Sequence, residues 1–527
     1  MAKKVLSYHN GRLKGKYLTN EECDILDRLI EMSGNNGYIK DLKRLIYDLN
    51  PAEIDLIKQQ GNGDGIDKRV GELEDLQTLG VAFLFYAKRA ILGDSVGLGK
   101  TVVVSGLFNL LKQKINKEGF EFRFLYLTEK NLVAETRDKL VRFTGDYVNA
   151  VYGEKKYVER FLNENRDDLH YSVVGSHSLV KNIKFQEYLQ SYYDYFQSTP
   201  FDILVIDEAG SVLGNRSTQM YEAMKAIGNM FDMVVILNAT AFENNLSMFY
   251  NQLSFVDDSL LPTITEFNKR YVEFDYSGPF PKPSGKYKNA DEFRRLVGYR
   301  YFSRTRKSTG ARMENCTAEV FVSDLSPVQK ELLKRVSMPN MVYDCPGYFM
   351  DDSFVMDVEN TPKLGDLVGL VSDLVDKGES VLIYAMYREA QSAIQDTLFS
   401  YGIHCEIMNG STKIKEKNDL IAKFKAGDLK VLITNVQKGL DFGRCNHCIF
   451  YCYDPSPNKM VQFEGRMTRE YNIIDKHVYL LISRGSELIR FKSAIADKAK
   501  ASDMFAGSDF SCVMSLLLSE ETLKKLK

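Results

Sequence analysis

Tryptophan is absent from the sequence, and the net charge is close to zero. The 527-residue chain carries 69 lysine and arginine residues against 71 aspartate and glutamate residues, which gives a formal net charge of −2. Nucleic-acid binding would therefore need a local basic patch, because the chain as a whole does not attract phosphate. Stacking on bases would depend on tyrosine and phenylalanine.

Long apolar runs are missing as well. No stretch reaches about 18 consecutive apolar residues, so we expect no membrane-spanning helix. The amino-terminal residues lack the apolar core of a signal peptide. Eight cysteines do not form a disulfide scaffold in a chain of this length. These features favour a reducing, intracellular setting. The compactness of the chain favours the cytoplasm of a prokaryotic or virus-infected cell, and a nuclear location stays open.

Three of the cysteines, Cys445, Cys448 and Cys452, lie close to His447 in the sequence. A zinc site would need a second pair of ligands at matching spacing, and no such pair follows. The same segment is typical of a buried strand that ends in a loop, and we favour that interpretation.

Short apolar segments alternate with helix-length segments through most of the chain. Such segments are typical of parallel sheets that are covered on both faces. They fall into two groups, which predicts an α/β fold with two parallel-sheet domains. The segments lie at 122–128, 171–176, 201–208, 233–240, 380–386, 430–435, 448–454 and 477–483.

The length predicts three or four structural units, at roughly 100–200 residues per domain. The proline-rich residues 276–292 predict an exposed loop, and residues 338–360 give no clear assignment. The predicted parts are a small helical accessory domain (1–70), which could bind protein partners, a first lobe (71–310), a second lobe (311–495) and a helical tail (496–527).

A phosphate-binding loop is indicated by the segment ILGDSVGLGKT, where an apolar strand, a glycine-bearing turn and a helix follow one another. Gly97 and Gly99 let the backbone approach phosphate closely. Lys100 supplies a charge to the phosphates, and the Thr101 hydroxyl can bind Mg²⁺. The strict Walker A pattern fails at one position, because Asp94 stands where its first glycine belongs.

A second motif, FDILVIDEAG, follows the phosphate loop in the sequence. It is an apolar strand that ends in two acids. Asp207 can hold Mg²⁺, and Glu208 can act as the general base that polarises the attacking water. An acidic pair at a strand end is common by itself, but its combination with the phosphate loop favours a nucleotide hydrolase.

The order of these and further motifs resembles superfamily 2 helicases, most closely the Swi/Snf-type branch of double-stranded-DNA translocases. The resemblance runs from about Leu76 to Phe491. It implies two tandem RecA-like domains, ATP and Mg²⁺ as cofactors, and double-stranded DNA as the partner. The segments FLYLTEKNLVAET and VVGSHSLV resemble motifs Ia and Ib, which contact the DNA backbone in that family.

The resemblance also assigns residues of the first lobe. It places Gln77 on the adenine base, and it accounts for Asp94, because the family has Asp there as well. Leu98 lies in the same phosphate-binding motif. In LNATAFENN the family's proline is replaced by Ala241, which bears on loop rigidity more than on chemistry.

In the second lobe, VLITNVQKGLDFGRC and YCYDPSPNKMVQFEGRMTRE resemble motifs V and VI. The two arginines of motif VI would stabilise charge on the transferring phosphoryl group, and their spacing places them on one helix face. Glu470 and Tyr471 replace the family's Gly-Gln, which weakens assignment to the remodeller subgroup. The implied nucleotide-site residues are Gly439, Asp441, Gln462, Arg466 and Arg469.

Residues 294–312 contain seven lysines and arginines, no acid, and interleaved aromatics. Such a segment suits phosphate contacts, with Arg304, Arg306 and Lys307 as candidates. A solvated helix face or pairing with acids are the alternatives.

The function implied by the resemblance is DNA-stimulated ATP hydrolysis that drives translocation on duplex DNA and remodels DNA or protein–DNA complexes. The alternatives are a strand-separating or branch-migrating DNA or RNA helicase and the motor subunit of a restriction or defence complex. A nucleic-acid-binding scaffold without ATPase activity is disfavoured by the intact motifs.

Overall fold

In a computed structural model of the chain, the described residues divide into two compact units, unit 1 within residues 7–304 and unit 2 within residues 316–484. The described residues are 7–9, 12–14, 22, 24–28, 75–95, 98–164, 171–238, 246–277, 282–304, 316–337, 339–351, 353–436, 442, 445–452, 460, 463–464 and 476–484.

Unit 1 contains a central sheet flanked by helices. Its strands are β1 (Ser7–His9), β2 (Arg12–Lys14), β3 (Arg89–Leu92), β4 (Phe124–Thr128), β5 (Val148–Val151), β6 (Ser172–Ser176), β7 (Ile203–Asp207), β8 (Met233–Leu237), β9 (Val272–Asp275), β10 (Lys282–Tyr287) and β11 (Tyr301–Phe302). The central sheet has the order β11-β3-β8-β7-β4-β6-β5, and every neighbouring pair in it is parallel. The pairs β1–β2 and β9–β10 are antiparallel.

The helices of unit 1 cover both faces of this sheet. On β7, Leu204 and Ile206 join one buried cluster, while Ile203 and Val205 join another. Alternate residues of the strand thus bury opposite sides, which explains its unbroken apolar sequence. The helices are α1 (Asp75–Ala87), α2 (Lys100–Lys117), α3 (Val133–Thr144), α4 (Lys155–Glu164), α5 (Ile183–Phe196), α6 (Gly210–Leu213), α7 (Gln219–Gly228), α8 (Leu246–Val256), α9 (Ile264–Tyr271) and α10 (Ala290–Val297).

A helical segment at residues 24–28 packs on the core of unit 1. Leu26 is fully buried in one of the two clusters. Glu22 accepts a hydrogen bond from the Lys88 ammonium at 2.6 Å, and Asp27 accepts one from the Tyr299 hydroxyl at 2.7 Å. The segment agrees with the helical spacing of this region, whereas the β1–β2 hairpin was not predicted. The remainder of residues 1–70 lies outside the described residues, as does 496–527.

Unit 2 repeats the same architecture. Its strands are β12 (Cys316–Ser323), β13 (Val381–Tyr384), β14 (Cys405–Met408), β15 (Val431–Thr434), β16 (His447–Phe450) and β17 (Lys476–Ser483). They form a parallel sheet of order β12-β17-β16-β13-β15-β14. The helices are α11 (Pro327–Arg335), α12 (Pro339–Asp344), α13 (Pro362–Asp376), α14 (Arg388–Ser400) and α15 (Ile414–Ala426). The predicted fold class of two tandem parallel-sheet α/β domains is confirmed.

The prediction of an exposed loop over residues 276–292 is wrong. Residues 282–287 form β10, which pairs with β9, and α10 begins at Ala290. The base of this hairpin packs on the core, because Val272 is buried and Tyr287 contacts the same cluster. Burial of the apolar side chains at these two positions stabilises the hairpin in spite of the prolines in the segment.

Residues 338–360, which the sequence left unassigned, contribute α12 and a short 3₁₀ helix at Pro346–Phe349. Cys345 between them is fully buried in the core of unit 2. Asp344 accepts a hydrogen bond at 2.8 Å from the Lys363 ammonium of α13, and both side chains are almost inaccessible. This buried ion pair fastens the segment to unit 2.

The cysteine segment is a strand, as predicted. Cys448 lies within β16, and Cys445, Cys448 and Cys452 are all buried free thiols. Burial raises the pKa of each of these thiols, which disfavours the thiolate that zinc requires. Among the described residues, no cluster of three or more histidine, cysteine or acidic side chains could form a metal site such as a zinc centre.

No helix within the described ranges is both long enough and apolar enough to cross a bilayer.

Candidate nucleotide-binding site

The phosphate loop lies between β3 and α2, at the carboxyl end of an interior strand of the unit 1 sheet. Gly99 caps α2 with a left-handed backbone, φ 79°, which glycine adopts without strain. Lys100 is the first residue of α2, so the free N–H groups of this helix lie beside the loop. Leu98 donates its N–H to the Ser95 carbonyl at 3.3 Å and closes the turn.

The ammonium of Lys100 is held over the start of the loop. It donates a hydrogen bond to the Asp94 carbonyl at 2.7 Å, with the Ser95 carbonyl at 3.5 Å. This hydrogen bond keeps the positive charge of Lys100 beside the anion site that the helix terminus creates.

Asp94 does not offer its carboxylate to a ligand, which corrects its assignment as a nucleotide contact. The side chain is fully buried, and it forms an ion pair with Arg304. Its oxygen Oδ1 accepts hydrogen bonds from the backbone N–H and from Nε of Arg304, each at 3.0 Å. The buried aspartate therefore stabilises the conformation of the phosphate loop through its contact with Arg304.

The same contact corrects the assignment of Arg304 as a nucleic-acid contact. Only 2% of its side chain is exposed, and its guanidinium lies 5.3 Å from the centre of the Phe302 ring. A buried, paired guanidinium is not accessible to phosphate. Arg306 and Lys307, the other two candidates in that segment, lie outside the described residues.

Asp207 is the last residue of β7 and Glu208 follows it directly, near the phosphate loop, as the sequence predicted. Burial and the neighbouring Glu208 charge raise the pKa of Asp207, while the Tyr126 hydrogen bond and the Lys100 charge oppose that rise. An acidic side chain in these surroundings is stabilised by a nearby cation. Lys100 is one such cation, and it is close enough to affect Asp207.

Glu208 has a left-handed backbone conformation, φ 50°, which non-glycine residues rarely adopt. Such a conformation costs of order 1–3 kcal/mol and persists where the surroundings enforce it, often at functional sites. Its N–H donates to Oδ1 of Asp207 at 2.9 Å, and its carbonyl accepts from the Ser211 hydroxyl at 2.9 Å. These bonds orient the two acids relative to each other.

Tyr126 is a site residue that the sequence analysis missed. This fully buried residue of β4 donates its hydroxyl hydrogen to Oδ2 of Asp207 at 2.8 Å, and it shares a hydrogen bond with Thr101. The polar side chain within the apolar run FLYLT was the only signal of this role. Tyr126 thus joins the two residues predicted to bind the metal.

His177 supports the same strand end. Its Nε2 lies 2.8 Å from the carbonyl oxygen of Asp207, and the ring is buried. Because a carbonyl only accepts, Nε2 carries the hydrogen in this contact. This contact gives the histidine a structural role at the end of β7.

Gln77, predicted to recognise adenine, lies against the phosphate loop. A Cβ atom on Gly99 would stand 2.8 Å from Nε2 of Gln77, so a side chain at position 99 would displace the glutamine. The residue on α1 and the phosphate loop are therefore adjacent. The remaining predicted nucleotide-site residues lie outside the described residues: Gly97, Gly439, Asp441, Gln462, Arg466 and Arg469.

Comparison with protein families matches residues 76–360 to the SNF2-related domain and residues 362–470 to the helicase conserved C-terminal domain. The first match covers more than half of the chain. The chain belongs to the SNF2-related family. This confirms the class of enzyme predicted from the motifs, a helicase-like ATPase of superfamily 2 in the Swi/Snf branch.

Relatives of this SNF2-family chain are distant. It is 23% identical over 473 residues to the mouse "Chromodomain-helicase-DNA-binding protein 1-like", covering 83% of this chain and 50% of that protein. It is 24% identical over 440 residues to the "Uncharacterized ATP-dependent helicase YqhH" of Bacillus subtilis, covering 75% and 72%. The chain thus spans about half the length of the mouse relative.

A solved structure also aligns with the SNF2-family chain. It is described as the "Sulfolobus solfataricus SWI2/SNF2 ATPase core in complex with dsDNA". The sequence identity is 16% and the TM-score 0.39, with 86% of this chain and 96% of the other covered.

Proposed function

We propose that this protein hydrolyses ATP and uses the energy to translocate on double-stranded DNA, remodelling DNA or protein–DNA complexes. The arrangement at the carboxyl edge of the unit 1 sheet carries this proposal. Lys100, Glu208 and the Thr101–Tyr126–Asp207 hydrogen bonds lie together there, on a scaffold of the SNF2-related family.

In this proposal each side chain has one task. The α2 terminus and Lys100 bind the phosphates, and Gln77 contacts the base. Glu208 orients and polarises the attacking water as general base. The hydrogen bonds around Asp207 and Glu208 hold these groups before the substrate arrives, which reduces the reorganisation needed during reaction.

The residues present fit a magnesium ion. Thr101 and Asp207 offer the hydroxyl and carboxylate oxygens that Mg²⁺ prefers, and Tyr126 contacts both. When bound, the ion would neutralise charge on the β- and γ-phosphates. Tyr126 would orient the two ligands.

A basic, aromatic surface follows the carboxyl ends of β4 and β5, next to the segments that resemble motifs Ia and Ib. Lys130 pairs with Glu154 on an exposed surface. The Lys156 ammonium lies 4.7 Å from the centre of the Tyr157 ring, and that ring lies 5.2 Å from Tyr152. Lysines supported by aromatic rings suit contacts with a phosphate backbone. We place the nucleic-acid contact of unit 1 here.

Arg466 and Arg469 remain the proposed residues for stabilising charge on the transferring phosphoryl group. The support is the QxxGRxxR spacing within the segment that matches the helicase conserved C-terminal domain. Arginine suits this task because its planar fork grips phosphate in two places.

The test is the ATPase rate of the full chain with no nucleic acid, single-stranded DNA, duplex DNA, forked DNA and RNA in parallel. Strongest stimulation by duplex DNA, without strand separation, supports the proposal. Stimulation by RNA alone would overturn the choice of substrate. An unstimulated, very slow rate with all five would overturn the motor itself.

Strand separation is the second candidate, because the structure contains an element that could act as a wedge. The β9–β10 hairpin of unit 1 carries Tyr276 with 74% of its surface exposed. An unwinding assay with forked DNA separates the two candidates. Unwinding that is lost in Tyr276→Ala, with ATPase activity retained, would favour the helicase over the duplex translocase.

A further inference from the structure

Asp94 and Arg304 are both almost completely inaccessible, with side-chain exposures of 0% and 2%. Nε and Nη2 of Arg304 donate to the two different carboxylate oxygens, and the Arg304 N–H adds a third hydrogen bond. This contact is bidentate, a geometry that lysine cannot reproduce. Removing one partner would leave the other charge buried and alone, which proteins rarely tolerate.

The backbone reinforces this contact on both sides. The Gly93 N–H donates to the Phe302 carbonyl at 2.7 Å, and the Ser95 N–H donates to the Arg304 carbonyl at 3.0 Å. The first residues of the phosphate loop therefore continue the parallel pairing of β3 with β11 beyond the strand ends. Their position depends on the segment that ends in Arg304.

The carbonyl of Asp94 is also the acceptor for the Lys100 ammonium, at 2.7 Å. One residue thus fixes Arg304 with its carboxylate and Lys100 with its backbone oxygen. A shift of Asp94 would move the lysine that the phosphates require.

Helix α1 packs closely against the same ion pair. A Cβ atom on Gly80 would stand 3.1 Å from Nη2 of Arg304 and 3.0 Å from Cγ1 of Val103. Gly80 therefore leaves the space that the guanidinium occupies. Gln77 lies one turn earlier on α1, three residues away, and so faces the same side of the helix.

We infer that Arg304 is a positioning residue for nucleotide binding, which acts through Asp94 on the phosphate loop and Lys100. The inference rests on the proposed nucleotide site and names a residue of that site that neither motif spacing nor exposure indicated. Arg304 touches no substrate in this arrangement. Its loss should weaken nucleotide binding and leave the attachment of nucleic acid unchanged.

A matched control lies on the same segment. Arg300 forms a second buried ion pair, with Asp257 at 3.0 Å and side-chain exposures of 6% and 10%. It also donates to the Ala87 carbonyl at 2.9 Å, at the end of β3 away from the phosphate loop. Arg300→Lys therefore perturbs a comparable pair without touching the loop.

The experiment measures the dissociation constant of a fluorescent ATP analogue for the full chain, without nucleic acid, and monitors thermal unfolding of each variant. We expect Arg304→Lys to weaken binding about tenfold or more, as expected for a lost charge-assisted hydrogen bond. Arg300→Lys should stay within about twofold of wild type, because its bonds do not reach the loop, even if it melts earlier.

A second variant, Asp94→Asn, keeps an acceptor for Arg304 but removes the charge. It should weaken binding in the same direction, and the double variant should be no worse than the worse single one, because both act on one pair. In steady state, KM should rise while kcat changes little. Wild-type affinity in Arg304→Lys, or equal losses in Arg304→Lys and Arg300→Lys, would overturn the inference. Failure of the wild-type chain to bind would instead contradict the nucleotide site itself.

Discussion

The hydroxyl of Tyr126 donates a hydrogen bond to Asp207 at 2.8 Å and shares another with Thr101. Tyr126 lies on β4, Asp207 ends β7 and Thr101 lies in the first turn of α2. One buried hydroxyl thus connects the elements that provide the two proposed magnesium ligands. Burial and the Asp207 carboxylate raise the pKa of Tyr126, so the phenol keeps its hydrogen and continues to donate.

Replacing Tyr126 by phenylalanine removes this hydroxyl and little else. We expect kcat for ATP to fall roughly tenfold, because a hydrogen bond to a charged group is lost at the metal ligands. The measurement is steady-state ATPase activity over a range of Mg²⁺ concentrations. Tyr250→Phe is the control, because it removes a buried hydroxyl that bonds the Pro262 carbonyl on the same unit. Equal activity losses in the two variants would contradict a specific role of Tyr126.

Glu208→Gln tests the general base. We expect kcat to fall by about 10²–10⁴-fold while the nucleotide dissociation constant stays close to wild type, because the amide cannot accept the proton from water. Single-turnover hydrolysis measures the chemical step directly. Glu222→Gln, an exposed acid on α7, should behave as wild type. Turnover within threefold of wild type in Glu208→Gln would show that another residue is the general base.

The double variant Lys155→Ala/Lys156→Ala tests the nucleic-acid surface, because Lys155 is the exposed neighbour of Lys156 in the first turn of α4. We expect weaker DNA binding and a salt slope that falls by about one for each phosphate that the variant no longer neutralises. Fluorescence anisotropy at several salt concentrations measures both quantities. The control is Lys334→Ala/Arg335→Ala on α11, where both side chains are exposed and pair with Glu331. An unchanged slope in the α4 variant would remove this surface from the binding site.

Gly80→Ala tests the space around Arg304. The added methyl group would press on the Arg304 guanidinium and on Val103, so we expect weaker nucleotide binding in spite of the higher helix propensity of alanine. Gly369→Ala on α13 is the matched control, because nothing lies within 4 Å of its Cβ position. That variant should bind normally and be more stable by about 0.5–1 kcal/mol. Gain of stability with normal binding in both variants would contradict the packing argument.

The pH dependence of stability tests His447 in unit 2. Burial, and then His477 and Lys377, lower its pKa, while Glu379 opposes the change. Its Nδ1 lies 3.1 Å from the Tyr479 hydroxyl. Because the unfolded histidine titrates near pH 6.5, the unfolded chain takes up the proton first, and stability is lost as the pH falls below about 6.5.

His447→Gln should therefore flatten the fall in melting temperature between about pH 7.5 and about pH 5.5. His404→Gln is the control, because 69% of the His404 side chain is exposed. A wild-type slope in His447→Gln would show that other groups control this pH range.

Strands that lie in the interior of each sheet were predictable, and those at the edges were not. The strand β7 is apolar throughout because both of its faces are covered. The strands β5 and β14 have partly exposed central residues, Asn149 and Ala150 in one and Glu406 and Ile407 in the other. Strands β5 and β14 each lie at a sheet edge, where their short, mixed sequences carry too little periodicity to be recognised.

The same contrast holds for the site. Lys100 and Asp207 were predicted as site residues because the chemistry of phosphate and Mg²⁺ fixes the residue types and their neighbours. Arg304 was misplaced because a run of basic residues suggests a surface, and its partner Asp94 lies 210 residues away in the sequence. Tyr126 was missed for a similar reason, because its two partners become neighbours only through the strand order. Contacts between residues so far apart in the sequence are set by the topology of the fold and not by any local sequence pattern.

Displacement of a third strand from triplex DNA by the full chain is the most direct measurement of ATP-driven movement along a duplex. We expect the wild-type chain to displace the strand with ATP and not without it, and the Lys100→Ala variant to bind duplex DNA and leave the triplex intact. Displacement by Lys100→Ala at the wild-type rate, or no displacement by a wild-type chain that hydrolyses ATP on duplex DNA, would contradict the proposed motor.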